Sequence, residues 1–83
     1  MADGVLRHKD YEFAIFTKIR EIDLYQLQGS DFKWIKKLTN VKLPENVTWD
    51  YMANILIRGD DEEKSKLAEI LYDSYVFSKE KIS

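Results

Sequence analysis

The 83-residue chain contains no cysteine, a single proline and three glycines. Without cysteine the chain forms neither a disulfide nor a thiolate metal site, so its folding does not depend on an oxidising compartment. No apolar run approaches the ~20 residues that a membrane-spanning helix needs. The N-terminal sequence also lacks the continuous apolar stretch of a secretory signal. Together these absences predict a cytoplasmic protein with no membrane segment.

The chain also lacks a strong excess of charge, because its formal net charge is only −2. Overall charge therefore does not favour nucleic acid as a partner. Hydrophobic residues make up 45% of the sequence and aromatic residues 13%, which is enough for a packed core and excludes global disorder. We expect a flexible N-terminus over residues 1–8 and one helical domain over residues 9–83.

The first apolar pattern follows Asp10, which can accept hydrogen bonds as a helix N-cap, and it ends at Gly29, a natural helix stop. It predicts a helix over residues 11–28. One apolar stripe has helical spacing and consists of Tyr11, Ala14, Ile15, Ile19, Ile22 and Tyr25. A second stripe lies almost opposite, at Phe13, Phe16, Leu24 and Leu27. Partial alternation of apolar and polar residues leaves open a short extended segment near residues 22–28.

Further helices are predicted after Ser30, Thr48 and Asp60, each of which can act as an N-cap. The first of these ends near Lys36, Lys37 and Asn40, and Pro44 belongs to the connection that follows. The next helix ends at Gly59. The fold class expected from these signals is all-α, a compact bundle of three or four helices.

The stretch RGDDEEK, residues 58–64, has the composition of an adhesion motif or a cation-binding loop. An adhesion motif needs an exposed loop tip, and a calcium loop needs ligands at alternating positions around a central glycine. We interpret the stretch instead as a helix stop, an N-cap and a first turn. Glu63 stands three residues after Asp60, the spacing of a capping box, and the added acids suit the helix dipole.

No residue pattern predicts catalysis. His8 is the only histidine, and no partner that could position it as a general base lies near it in sequence. The three glycines, Gly4, Gly29 and Gly59, are isolated, so no phosphate-binding loop is present. We therefore expect no enzyme activity, no catalytic residue, no cofactor and no metal site.

Apolar residues that do not fit the main stripes indicate either a helix packed on two sides or a surface for a partner protein. These candidate partner-binding residues are Phe13, Phe16, Tyr51, Ile55, Tyr72 and Val76. Trp34 and Trp49 are expected to be core anchors. A basic patch of Lys33, Lys36, Lys37 and Lys42 is either a solvated face or a contact for phosphate or an acidic surface.

The function that best fits these observations is a small non-catalytic interaction module, such as an inhibitor, an adaptor or a regulatory subunit. It would dock another protein through a helix face, with a charged rim that sets orientation and association rate. One alternative is nucleic-acid binding through the lysine patch. Another is a homo-oligomeric structural protein.

Overall fold

The computed structural model describes residues 2–38 and 43–77 of the chain. Four strands come first: β1 (Gly4–His8), β2 (Tyr11–Phe16), β3 (Glu21–Gln28) and β4 (Asp31–Leu38). Two helices follow, α1 (Trp49–Arg58) and α2 (Asp61–Tyr72), and a π-helical turn over Asp73–Phe77 comes directly after α2. The described part of the chain is an α+β fold. The strands of the sheet come first in the sequence, and the helices follow them.

The sheet is an antiparallel meander with strand order β1-β2-β3-β4. Short turns at residues 9–10, 17–20 and 29–30 connect the strands. Gly29 opens the last turn with a φ of 69°, a backbone region that glycine enters without steric cost. A two-residue Gly-Ser turn is one of the sequences that close a tight hairpin between antiparallel strands.

The all-α prediction is wrong, and with it the helix expected over residues 11–28 and the helix expected after Ser30. Residues 11–28 form two strands and a turn, because their apolar side chains also fit a period of two. Phe13 and Ile15 are fully buried on β2, and Ile22 and Leu24 are buried on β3. Aromatic and β-branched side chains favour such strands. The short extended segment that was left open near residues 22–28 corresponds to β3. The sheet is larger than that alternative, because its strands extend from residue 4 to residue 38.

The first residues of the chain are part of this sheet. Most of the segment expected to be flexible, residues 1–8, lies in β1 and pairs with β2. The Asp3 carboxylate accepts hydrogen bonds from the hydroxyl and the backbone N–H of Thr17, both at 2.6 Å. The hydroxyl bond first, and then the N–H bond, lower the pKa of Asp3. This contact joins the start of β1 to the turn between β2 and β3.

Both helices pack on the same face of the sheet and enclose one core. The sheet contributes Leu6, Phe13, Ile15, Ile22, Leu24 and Leu38. The helical side contributes Val47, Met52, Ile55, Leu67, Ala68 and Leu71. An antiparallel sheet can keep one face on a core and leave the other in water. Among the described residues, neither helix lies on the second face.

The two C-terminal helices confirm the local predictions made for them. Thr48 caps α1, with its hydroxyl accepting from the backbone N–H of Tyr51 at 3.0 Å. Asp60 and Glu63 form the predicted capping box of α2, with bonds of 2.8 and 3.4 Å. The interpretation of residues 58–64 as stop, cap and first turn is therefore confirmed. Among the described helices, none has both the length and the apolar character needed to cross a membrane.

Candidate functional site

The open face is the side of the sheet that points away from α1 and α2. Directly paired residues share a face, and successive residues of a strand alternate between faces. Two rows of paired residues therefore cross the open face, Val5–Ala14–Asp23–Lys37 and Arg7–Glu12–Tyr25–Trp34. Phe16 and Glu21 extend it at one end, and Leu27 and Phe32 at the other. These residues are the candidate functional site.

Large apolar side chains dominate this surface. Trp34 is 55% exposed, Val5 50% and Leu27 38%. Phe16, Tyr25 and Phe32 are half-buried beside them. Scattered apolar residues are normal on a protein surface, but Tyr25, Leu27, Phe32 and Trp34 are direct neighbours on β3 and β4, and adjoining apolar side chains of this kind are typical of interaction sites. Tryptophan, tyrosine and arginine, all present here, are the residues that carry most binding energy in protein interfaces.

A β-bulge places Trp34 on this face. The register between β3 and β4 shifts between Leu24 and Tyr25, so that Leu24 pairs with Lys36 while Tyr25 pairs with Trp34. Ile35 is the extra residue of β4. Without the bulge, Tyr25 would pair with Ile35, and Trp34 would turn to the side of the helices. Bulges redirect side chains in this way, and this one moves the tryptophan out of the expected core.

The charges of the open face are mixed and mostly paired. Arg7 Nε lies 2.7 Å from a Glu12 carboxylate oxygen, and the Arg7 guanidinium stacks 4.6 Å above the centre of the Phe32 ring. Lys37 Nζ lies 3.7 Å from a carboxylate oxygen of Glu21. Asp23 differs, because its Oδ1 is buried and has no hydrogen-bond partner within the described residues. That oxygen is covered by its own chain and is not accessible at the surface of the open face.

The predicted partner-binding residues do not form one surface. Phe13 is fully buried and Ile55 is 5% exposed, so both belong to the core. Tyr51 is exposed on α1, on the helical side of the sheet. Phe16 lies at the end of the open face. Val76 lies in the π-helical turn, and its side chain is outside the part that the structure describes.

Tyr72 lies in an aromatic cluster at the C-terminal end of α2. Its ring centre is 4.8 Å from that of His8 and 5.8 Å from that of Tyr11. The Lys9 ammonium lies 4.9 Å from the same ring centre. These contacts join α2 to the β1–β2 hairpin and place His8 against an aromatic ring. Tyr72 is thereby half-buried within the chain itself.

The lysine patch does not lie on one helical face, because its described members lie on β4. Lys37 belongs to the open face, while Lys33 and Lys36 pair with Gln26 and Leu24 and turn to the other side. Lys42 is outside the described residues. Aromatic and basic residues therefore alternate along β4, but its lysines lie on both faces of the sheet.

A shallow groove of about 630 Å³ runs between β1 and the start of α2. Val5, Arg7 and Glu12 line it from the sheet, and Asp61, Lys64 and Ser65 from the helix. Arg7 and Glu12 form an ion pair with each other on the sheet side of the groove. Within residues 2–38 and 43–77, no group of three or more histidine, cysteine, aspartate or glutamate side chains is arranged to hold a metal ion.

Comparison of the chain with protein-family models, with curated proteins and with solved structures finds no match. Sequence reasoning missed Tyr25, Leu27, Phe32 and Trp34 as members of one surface. The signal that could have found them is the Gly29–Ser30 pair between two apolar runs, since this dipeptide favours a hairpin.

Proposed function

We propose that the chain is a small non-catalytic interaction module that docks a protein partner through the open face. The observation that carries this proposal is the apolar patch opposite the helices, which no described helix covers and in which Trp34 is more than half exposed. Docking would remove this patch from water, and the gain scales with the apolar area that is buried. The surface is therefore a sheet face, in place of the helix face expected from sequence.

The charged residues support a protein as the partner. Arg7, Lys37 and three carboxylates surround or interrupt the apolar patch. Mixed charge of this kind orients a protein partner and excludes wrong ones. We keep the cytoplasm as the proposed location, because a chain without cysteine is suited to a reducing compartment.

Nucleic-acid binding is the second candidate, and the interleaving of Phe32 and Trp34 with lysines on β4 favours it. Exposed aromatic rings on a sheet stack on unpaired bases when a positive groove holds the backbone. The open face provides the rings but little positive charge, since its carboxylates outnumber its cations. Glu21 also holds Lys37. Protein docking is therefore the better supported of the two.

Photo-crosslinking from two matched positions tests the proposal. Benzoylphenylalanine replaces Leu27 on the open face in one variant and Ile57 on α1, which is 77% exposed, in the other. We expect the Leu27 position to give a saturable protein adduct in native lysate, and the Ile57 position to give none. Equal labelling from both positions would contradict docking through the open face. A nuclease-sensitive adduct would support the second candidate instead.

A further inference from the structure

We propose that the outer edge of β1 binds an extended segment of a partner protein, which adds to the four-stranded sheet as a further strand in the groove between β1 and α2. The site borders the open face, but it recognises a different feature, the backbone of the bound segment. Its occupation does not depend on docking through the open face. Strand addition of this kind takes its affinity from main-chain hydrogen bonds and its specificity from alternate side chains.

β1 is an edge strand whose outer backbone groups are free to pair. In the sheet order β1-β2-β3-β4, only its inner side pairs, with β2. The two-residue turn closes the first hairpin at the hydrogen-bonded pair His8–Tyr11, and such pairs alternate along antiparallel strands. The backbone N–H and C=O groups of Val5 and Arg7 therefore point away from β2. Within the described residues, no other backbone group bonds to them.

The two edges of the sheet differ in how strongly they oppose pairing. Natural proteins protect an exposed edge with lysines, bulges or proline. β4, the other edge, carries three lysines and the bulge at Ile35. The pairing of β1 runs without a bulge over Gly4–His8, and its only basic side chain besides the histidine is Arg7. Glu12 and Phe32 hold that guanidinium over the sheet, so it does not shield the edge. β1 is therefore the edge that can accept a strand.

The groove provides the space for such a strand. Val5 and Arg7 line it with side chains of the open face, and Lys64 and Ser65 line it from α2, on the opposite side of the sheet. A groove bordered from both sides of the sheet must pass along the outer edge of β1. Its volume of about 630 Å³ lies within the ~300–1,000 Å³ of ligand-binding sites. The five residues of β1 offer ~16 Å of edge at ~3.3 Å per residue.

The side chains around the groove predict what the bound segment contains. Successive residues of an added strand face opposite sides of the sheet, so the residue opposite Leu6 faces α2. There it meets the Ser65 hydroxyl and the ammonium of Lys64, which is half-buried and forms no ion pair among the described residues. Both groups donate hydrogen bonds, so an acidic side chain fits this position. The next residue lies opposite Val5, which is 50% exposed and favours an apolar neighbour.

Panning of a phage-displayed library of random octapeptides against the full chain tests the proposal. We expect the enriched peptides to share an acidic residue next to a β-branched or aromatic one. A synthetic peptide of the most enriched sequence is then titrated with each variant and followed by fluorescence polarisation. Lys64→Glu is expected to weaken binding at least ~3-fold. The matched Lys66→Glu, on the same helix but outside the groove, should leave binding unchanged. Asp61→Asn removes a like charge from the groove and should bind at least as tightly as the wild type.

Changes to the backbone test strand addition itself. Val5→Pro removes the outward N–H of residue 5 and leaves the bonds to β2 in place, whereas Val5→Ala keeps that N–H. We expect Val5→Pro to weaken binding ~10-fold and Val5→Ala to weaken it less. Methylation of the peptide's amide nitrogens, one at a time, should weaken binding at every second position, because alternate amides of a strand point to the same neighbour. This scan uses the wild-type chain, so it decides the matter even where circular dichroism shows that Val5→Pro does not fold.

Three results would overturn the edge site. They are a library that yields no enriched peptide, a methylation scan without a period of two, and binding that Lys64→Glu and Lys66→Glu weaken equally. Dimerisation of the chain alone that Val5→Pro abolishes would assign the edge to a second copy and would also overturn a foreign segment. The crosslink at Leu27 tests the open face separately. Peptide binding at β1 without an adduct at Leu27 would support the edge site and contradict the open-face proposal, and the reverse result would do the opposite.

Discussion

Truncation of three isoleucines can distinguish the sheet from the helix that was expected over residues 11–28. On a helix, Ile15, Ile19 and Ile22 would share one buried stripe, and truncating any of them would destabilise the fold by a similar amount. In the structure Ile15 and Ile22 are fully buried on adjacent strands, whereas Ile19 lies in the turn between them and is 62% exposed. We therefore predict that Ile15→Ala and Ile22→Ala are strongly destabilising and that Ile19→Ala is nearly neutral.

The magnitudes follow from burial. Truncation of a buried isoleucine to alanine removes three carbons, which at ~0.8 kcal/mol each is ~2.4 kcal/mol of transfer free energy. The cavity left behind adds to this, so the total cost for Ile15 lies between ~2 and ~5 kcal/mol. Less than half of the Ile19 side chain is buried, and no enclosed cavity forms there. Its truncation should therefore cost below ~1 kcal/mol.

Urea unfolding, followed by the fluorescence of Trp34 and Trp49, measures these differences. A domain of this size has an unfolding free energy of only ~4–12 kcal/mol, so an Ile15→Ala variant is at risk of not folding. Ile15→Val, with an expected cost of ~0.5–1.5 kcal/mol, avoids this problem and is compared with Ile19→Val. Equal losses at Ile15 and Ile19 would refute the assignment of residues 17–20 to an exposed turn.

Two further predictions concern the turns. Gly29→Val forces a β-branched residue to a φ of 69° and is expected to lower the free energy of unfolding by at least ~1–2 kcal/mol in the same assay. Gly29→Asn should lower it less. Equal losses in the two variants would argue against a left-handed residue in this turn. Because the Thr17 hydrogen bonds lower the pKa of Asp3 below its ordinary value of 3.8, the stability they provide is complete above that value and is lost as the pH falls through the lowered pKa. The urea midpoint should therefore fall more steeply in acid for the wild type than for Asp3→Ala, and parallel pH profiles would contradict this linkage.

Sequence reasoning was most successful where the relevant interactions are local. The capping box of α2 connects residues only three apart, Asp60 and Glu63, and the Thr48 cap of α1 reaches a backbone N–H at the same spacing. Such pairs can be identified without knowledge of the rest of the fold. The same reasoning failed over residues 11–38, because dense apolar residues there satisfy both helical and strand periods.

The candidate site was less predictable than the helices, because it depends on pairing between strands. Trp34 was expected in the core, and nothing in its immediate sequence contradicts that expectation. It is exposed because the bulge at Ile35 pairs it with Tyr25, a residue nine positions away across a hairpin. A shift of one residue in register moves a side chain to the opposite face of the sheet.

By itself, the sequence determined that the chain has no disulfide and that capped helices begin after Thr48 and Asp60, since both follow from residue type and short spacing. The tertiary structure alone decided that residues 4–38 form a sheet, that both helices cover one side of it, and that Trp34 faces away from them. Strand pairing joins residues that are distant in the chain, and its free energy comes from burial shared among all the elements. No short stretch of residues contains that information.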